Sequence, residues 1–264
     1  MKTNLTIALL FSVFACNAQS WELIKKIPLD QEISTVSVDS KGMSYVGTTQ
    51  GNIIRYDSLG QEDEYFSQLN NSTVSIIQAW NRLKVFSFFR EQQSISILDR
   101  FTATPRNVNL RDFGLQYASL FAPGVDNSYW ALSTEFKELI KYDDQNLNVL
   151  FRIVLPSNMA LTEATYLRAF KNLLILTDQA SGLWFFDQYG VLQGNVNISG
   201  SSEVQIHENQ VIVFDGSQIT YINPFTLEII GRRKAPKGAF RSVVIIGTRY
   251  FFFTRNTIEI YQFN

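Results

Sequence analysis

The chain has 264 residues, 45% of them hydrophobic, with 21 Phe, 11 Tyr and 4 Trp, and its 23 Lys and Arg against 24 Asp and Glu leave a formal charge of -1. That composition excludes a disordered chain and a polybasic nucleic-acid binder, and it supplies ample apolar surface for a core. One Cys and one His exclude a thiolate metal cluster, a disulfide framework and a multi-histidine metal site, and any Ser-His-Asp relay would have to use His207.

In chain order, the first element is an export signal. Lys2 provides a short positive region, Leu5 to Ala15 is an uncharged and mostly apolar run, and Cys16 to Ser20 is small and polar. The run is well short of the roughly 20 residues that a membrane-crossing helix needs. Two processing schemes fit. Cleavage after Ala18 makes residues 1–18 a signal peptide and Gln19 the first mature residue. The stretch Val13-Phe14-Ala15-Cys16 resembles a bacterial lipobox, which implies removal of residues 1–15 and lipidation of Cys16. Either leaves an exported domain over 21–264 without a free thiol, as suits an oxidising compartment.

Trp21 to Leu29 reads as a lone strand, and from there the chain repeats a unit. An apolar strand ends in an aromatic or aliphatic residue and then a turn-forming Asp or Asn: Ile54-Arg55-Tyr56-Asp57, Ile97-Leu98-Asp99, Lys141-Tyr142-Asp143, Phe185-Phe186-Asp187 and Tyr221-Ile222-Asn223, with Ile260-Tyr261-Gln262 last. These ends are spaced 36 to 44 residues apart, the period of a β-propeller blade at roughly 40–50 residues. Two strand-like runs precede each end. In the first repeat they are Ile33 to Val38 and Met43 to Val46, separated by the turn Asp39-Ser40-Lys41-Gly42. The later pairs are Thr73 to Ala79 with Leu83 to Phe89, Gln116 to Phe121 with Tyr129 to Leu132, Thr165 to Phe170 with Leu173 to Leu176, Glu203 to Ile206 with Gln210 to Phe214, and Arg241 to Ile246 with Tyr250 to Phe253. Helical periodicity is nearly absent. Runs such as Val85 to Phe89, Leu183 to Phe186 and Phe251 to Phe253 are apolar at every position, as strands buried on both faces should be. The last unit offers three strands, so Trp21 to Leu29 supplies its fourth. The prediction is an all-β, six-bladed propeller of four-stranded blades, with the N-terminal strand closing the last blade.

The stretches Val38 to Gly47 and Asn52 to Asp57 resemble the six-bladed propellers of the NHL, lactonase and quinoprotein-like kind. The lactonase side of that resemblance implies a calcium-dependent hydrolase. It would hold one metal on the axis through Glu32, Glu163 and Glu203 at inner-strand starts, with Gln116 in the third blade. Residues matching a quinone cofactor are not found, and no nucleotide, zincin, EF-hand or serine-elbow motif occurs. The polar residues expected in the loops of one face are Gln50 and charges of mixed sign, among them Arg90, Glu91, Glu135, Lys137, Asp178, Asp215 and Arg255. His207 falls in a hairpin turn on the opposite face. Phe113 and Phe136 are the aromatics that a glycan-binding face would use.

Two surface features are candidate contacts. Arg232, Arg233, Lys234, Lys237 and Arg241 form the one basic cluster, between the fifth and sixth units. Met159 and Leu161 sit in the longest link between units, either as an exposed contact or folded over the axis. The reading that follows is a non-catalytic, exported propeller without a cofactor, a protein-interaction or scaffolding module. It would sit in the periplasm or on the outer membrane of a Gram-negative envelope and touch the membrane through a lipid on Cys16, with an envelope protein or complex as partner.

Overall fold

The structure, a computed structural model, describes residues 20–264 apart from 68–71, 81–82, 100–104, 136, 158, 160, 162 and 201–202. The segment expected to be an export signal, Cys16 and Phe136 lie outside the described residues. Strand β1 (Trp21–Pro28) comes first. Blade one is β2 (Ile33–Val38), β3 (Ser44–Thr48), β4 (Ile53–Tyr56) and β5 (Glu62–Phe66). Blade two is β6 (Ile76–Gln78), β7 (Lys84–Phe89), β8 (Ser94–Asp99) and β9 (Arg106–Asn109), and blade three is β10 (Leu120–Pro123), β11 (Ser128–Ser133), β12 (Glu138–Asp143) and β13 (Val149–Val154). Blade four is β14 (Ala164–Phe170), β15 (Leu173–Asp178), β16 (Gly182–Asp187) and β17 (Leu192–Val196). Blade five is β18 (Val204–His207), β19 (Gln210–Phe214), β20 (Gln218–Ile222) and β21 (Ile229–Lys234). Blade six takes β22 (Ser242–Ile246), β23 (Arg249–Phe253) and β24 (Thr257–Phe263) and is completed by β1, giving six four-stranded antiparallel sheets in a ring.

The repeated Asp or Asn has a local cause. It sits where the third strand of a blade turns into the fourth, and its side chain accepts the backbone N–H groups of that turn. Asp57 Oδ1 accepts from Leu59 and Gln61, Asp187 Oδ1 from Tyr189 and Val191, Asp143 Oδ1 from Gln145 and Asn146, and Asn223 Oδ1 from Phe225 and Thr226. Each capped turn is followed by a register shift in the outer pair, for example between Arg55 and Tyr56 and between Phe185 and Phe186. Such a bulge increases local twist and bends the outer strand.

Ring closure rests on β1. Trp21 pairs with Phe263, and its indole packs edge-on against Tyr250 and Phe252 at centroid distances of 4.8 and 5.4 Å while Nε1 donates to the Lys234 carbonyl at 2.9 Å. The middle strands are buried on both sides: Leu174, Ile175, Leu176, Phe185, Phe186, Phe251, Phe252 and Phe253 are at most 1% exposed. A short 3-10 turn over Leu110–Phe113, absent from the sequence reading, lies ahead of blade three, so that β10 starts at Leu120 rather than near Gln116.

One glycine is held by the close approach of blade four's outer strand. Gly182 has φ +88°, and a Cβ there would meet the Val196 carbonyl oxygen and lie 2.5 Å from Ile198 N. Gly182→Ala therefore costs at least ~2 kcal/mol through left-handed strain and backbone clash. At roughly 2–4 °C per kcal/mol for a domain of this size, thermal melting should fall by 4 °C or more; unchanged melting would contradict the packing of β17 on β16.

Candidate functional site

The antiparallel order gives the ring two ends. First-to-second and third-to-fourth strand turns open on one, here termed the hairpin end; second-to-third turns and the links between blades open on the other, the crossover end. The inner strands surround the axis, and two of them reach across it. Gln78 Nε2 donates to the Leu167 carbonyl at 2.6 Å, Tyr166 Oη donates to the Ile77 carbonyl at 3.2 Å, and Trp80 Nε1 donates to Gln78 Oε1 at 2.9 Å. These bonds join blade two to blade four over the top of blade three. Beside them, the Gln205 amide accepts from Ile245 N at 2.8 Å and donates to Ile245 O at 2.7 Å, clamping blade five to blade six.

On the hairpin-end side of this polar crossbar lies a cavity of about 910 Å³. Its wall includes the first-to-second turns of blades one, four, five and six, with Trp80 from blade two and Val125 from blade three. Arg168, two residues beyond Tyr166 on β14, lines it while being 6% exposed. Burial pushes the Arg168 guanidinium below its usual pKa, opposed by the neighbouring Tyr166 hydroxyl, whose own pKa burial raises to about 12. His207 and Glu208, 3.8 Å apart, stand at the rim. His207 ends β18 beside its hairpin turn, as expected, but that turn borders this cavity. Sequence reasoning had directed attention to the crossover end and missed Arg168. The available signal was a lone charge in the otherwise apolar inner strand Tyr166 to Phe170.

At the crossover end the residues proposed as metal ligands do not converge. Glu32 is held by two cations, Arg241 Nη1 at 3.2 Å and Arg255 Nη2 at 2.8 Å, whose hydrogen bonds draw its carboxyl below the ordinary range against the effect of burial. Glu163 is exposed at the start of β14, where its backbone N–H donates to Asp178 Oδ2 at 2.7 Å; Glu203 is half-buried before β18; and Gln116 is exposed, four residues short of β10. Among the described residues no three His, Cys, Asp or Glu side chains are grouped closely enough to hold a metal ion. The site residues that the lactonase resemblance implies therefore do not fit a calcium ion. Asp178 and Asp215 at the same end cap their own turns, through Ser181 and Ser217.

The basic cluster is divided among three environments. Arg241 joins Glu32. Arg233 is half-buried, with its guanidinium 4.0 Å from the Phe263 ring and hydrogen-bonded to the Tyr250 hydroxyl. Arg232, Lys234 and Lys237 are exposed on or beyond the outer strand β21. Of the two arrangements open to Met159 and Leu161 the structure takes the inward one: Met159 is 2% exposed and packs into the main core, with Leu161 partly buried against it, which withdraws both as surface contacts. Phe113 is likewise a core residue, 5% exposed with its ring edge-on to Phe121 and Tyr142 at 5.2 and 5.3 Å, which removes it from any glycan-binding surface.

No family model matches the chain, and no curated protein matches it. Solved structures match throughout the ring. Virginiamycin B lyase from Staphylococcus aureus is 12% identical, with a TM-score of 0.65 over 92% of this chain and 99% of that one. BamB from Moraxella catarrhalis is 13% identical, with a TM-score of 0.53 over 93% and 98%. The WD40 propeller domain of Doa1 is 10% identical, with a TM-score of 0.62 over 92% and 97%. Identities this low establish a shared propeller fold. Among the described residues no helix is long and apolar enough to cross a membrane.

Proposed function

We propose that this chain is an exported, non-catalytic propeller that serves as a protein-interaction or scaffolding module of a Gram-negative cell envelope, tethered through a lipid on Cys16, with an envelope protein or complex docking on its hairpin end. The observation that carries the reading is where apolar surface is exposed. Of the fifteen large apolar side chains exposed among the described residues, twelve lie in first-to-second or third-to-fourth turns or in the first half of an outer strand. Among these twelve are Tyr189 at 66%, Val191 at 59%, Ile230 at 55%, Leu59 at 54%, and Leu150 and Phe225 at 53%; Val154, at 72% the most exposed of the fifteen, lies at the far end of its outer strand. Single exposed apolar residues need no explanation, but their gathering at one end of a rigid ring supports a contact face.

The polarity of β1 adds to this. Trp21 pairs with Phe263 at the hairpin end and Pro28 with Thr257 at the crossover end, so the chain enters the ring from the hairpin end. With only Asn17 to Ser20 between a lipidated Cys16 and β1, the hairpin end would lie close to the membrane surface and whatever is assembled there. The fixed backbone of neighbouring blades suits recognition, since little order has to be gained on binding.

Two measurements test the reading. Intact mass of protein taken from native membranes should correspond to a chain beginning at acylated Cys16. Photo-crosslinkers at Tyr189 and Phe225 should capture a discrete envelope protein, whereas crosslinkers at Glu135 and Arg255 on the crossover end should not. Equal capture from both ends would remove the docking face, and a soluble mature chain beginning at Gln19 would remove the tether.

A further inference from the structure

The axial cavity contains a charge that the fold does not use. Arg168 is more than nine-tenths buried, and among the described residues its Nε has no hydrogen-bond partner and Tyr166 is the group whose interaction favours its charged form. The neighbouring polar groups of the crossbar have identified roles: the Gln78 and Gln205 amides hold inner strands together, and the Trp80 indole N–H is bonded to Gln78. A buried cation without a counter-charge is costly, and such violations gather at functional sites.

We propose that the axial cavity is a binding site for a small organic anion with a single carboxylate head and an apolar body, the head pairing with Arg168. A guanidinium presents a planar fork that matches the two oxygens of a carboxylate. One buried cation suits one negative charge. Above it, Val38, Trp80, Ile206 and Ile246 give apolar wall for the remainder of the ligand. The volume of about 910 Å³ falls within the ~300–1,000 Å³ of small-molecule sites. At the mouth, Lys41, Lys171 and Arg249 outnumber Asp39 and Glu208, a balance that favours entry of anions. The cavity shares Leu59 and Val125 with the docking face, but recognition by Arg168 inside the ring is read by ligand titration and docking by cross-linking, so the failure of either reading leaves the other standing.

The test is calorimetric titration of the mature protein with acetate, butanoate, hexanoate and octanoate at fixed ionic strength, with 1-octanol and inorganic phosphate as controls. Affinity should rise with chain length, and octanoate should bind about 10-fold more tightly than 1-octanol, the effect of one charge-assisted pair. Arg168→Met should erase that preference while leaving 1-octanol affinity unchanged, and Arg168→Lys should keep part of it; melting curves establish that both variants are folded. Absence of binding by every carboxylate, equal binding of octanoate and 1-octanol, or a preference that survives Arg168→Met would each overturn the proposal. Phosphate competing as well as octanoate would place recognition at the rim lysines and overturn it too.

Discussion

A chain that begins at Leu29, and so lacks β1, loses most of its stability and self-associates. Removing β1 strips seven paired positions from β24 and uncovers Tyr250, Phe252 and Phe263 where Trp21 covered them. Loss of a packed Trp alone costs about 3–5 kcal/mol when fully buried, and somewhat less for the half-buried Trp21. Added to the lost strand pairing, the change is of the same order as the ~5–15 kcal/mol of an entire domain. The edge of β24 is then a seven-residue strand, Thr257–Phe263, with free backbone donors and acceptors, a template for pairing with another chain. Urea unfolding and size-exclusion chromatography check both parts. Trp21→Ala should give the milder version, a loss of about 2 kcal/mol without oligomers. A truncated chain that stays monomeric with an unchanged midpoint would mean that the ring closes without β1.

Arg168→Met has the opposite sign. Met is shorter but flexible and apolar, removes the uncompensated charge and leaves the Gln78 and Tyr166 crossbar intact. Replacing buried ionic groups by apolar ones of similar volume stabilises proteins by up to about 1–4 kcal/mol. With ~2–4 °C per kcal/mol, the ligand-free variant should melt several degrees higher, read by calorimetry. A fall in melting temperature would show that the guanidinium is a structural donor, and with it the reason to regard Arg168 as held for a ligand would disappear. A gain in stability joined to a loss of carboxylate preference would mark a residue kept at the expense of the fold.

The blades could be read from the chain because their cause is local. In four of the blades the Asp or Asn at the end of the third strand caps its own turn, so Asp57, Asp143, Asp187 and Asn223 mark blades without reference to anything distant. Uniformly apolar runs such as Phe251 to Phe253 announce burial on both faces. The closing strand was legible as well, since a lone β pattern at one end and a three-stranded unit at the other leave one arrangement. The site was not legible for the converse reason. Gln78 and Leu167 are 89 residues apart and meet only across the axis, so their bond leaves no periodic trace. Glu32 looked available because Arg241 and Arg255, more than 200 positions away, become its neighbours only when the ring closes. Met159 could be placed either outside or over the axis, because a long link between strands does not reveal which way it folds.

The direction of β1 also has a mechanical side. Residues 20 and 264 lie beside each other, with Ser20 N donating to the Asn264 carbonyl at 3.3 Å and Asn264 N to that of Ser20 at 3.1 Å. Tension applied at residue 20 while the body of the ring is held runs along β1 and loads all its cross-strand bonds together, in shear. The same tension applied between residues 20 and 264 opens those bonds one after another, like a zip. Resistance to forced unfolding is governed by the unfolding barrier, so the ring withstands a pull on its leading strand far better than a pull that separates its two ends.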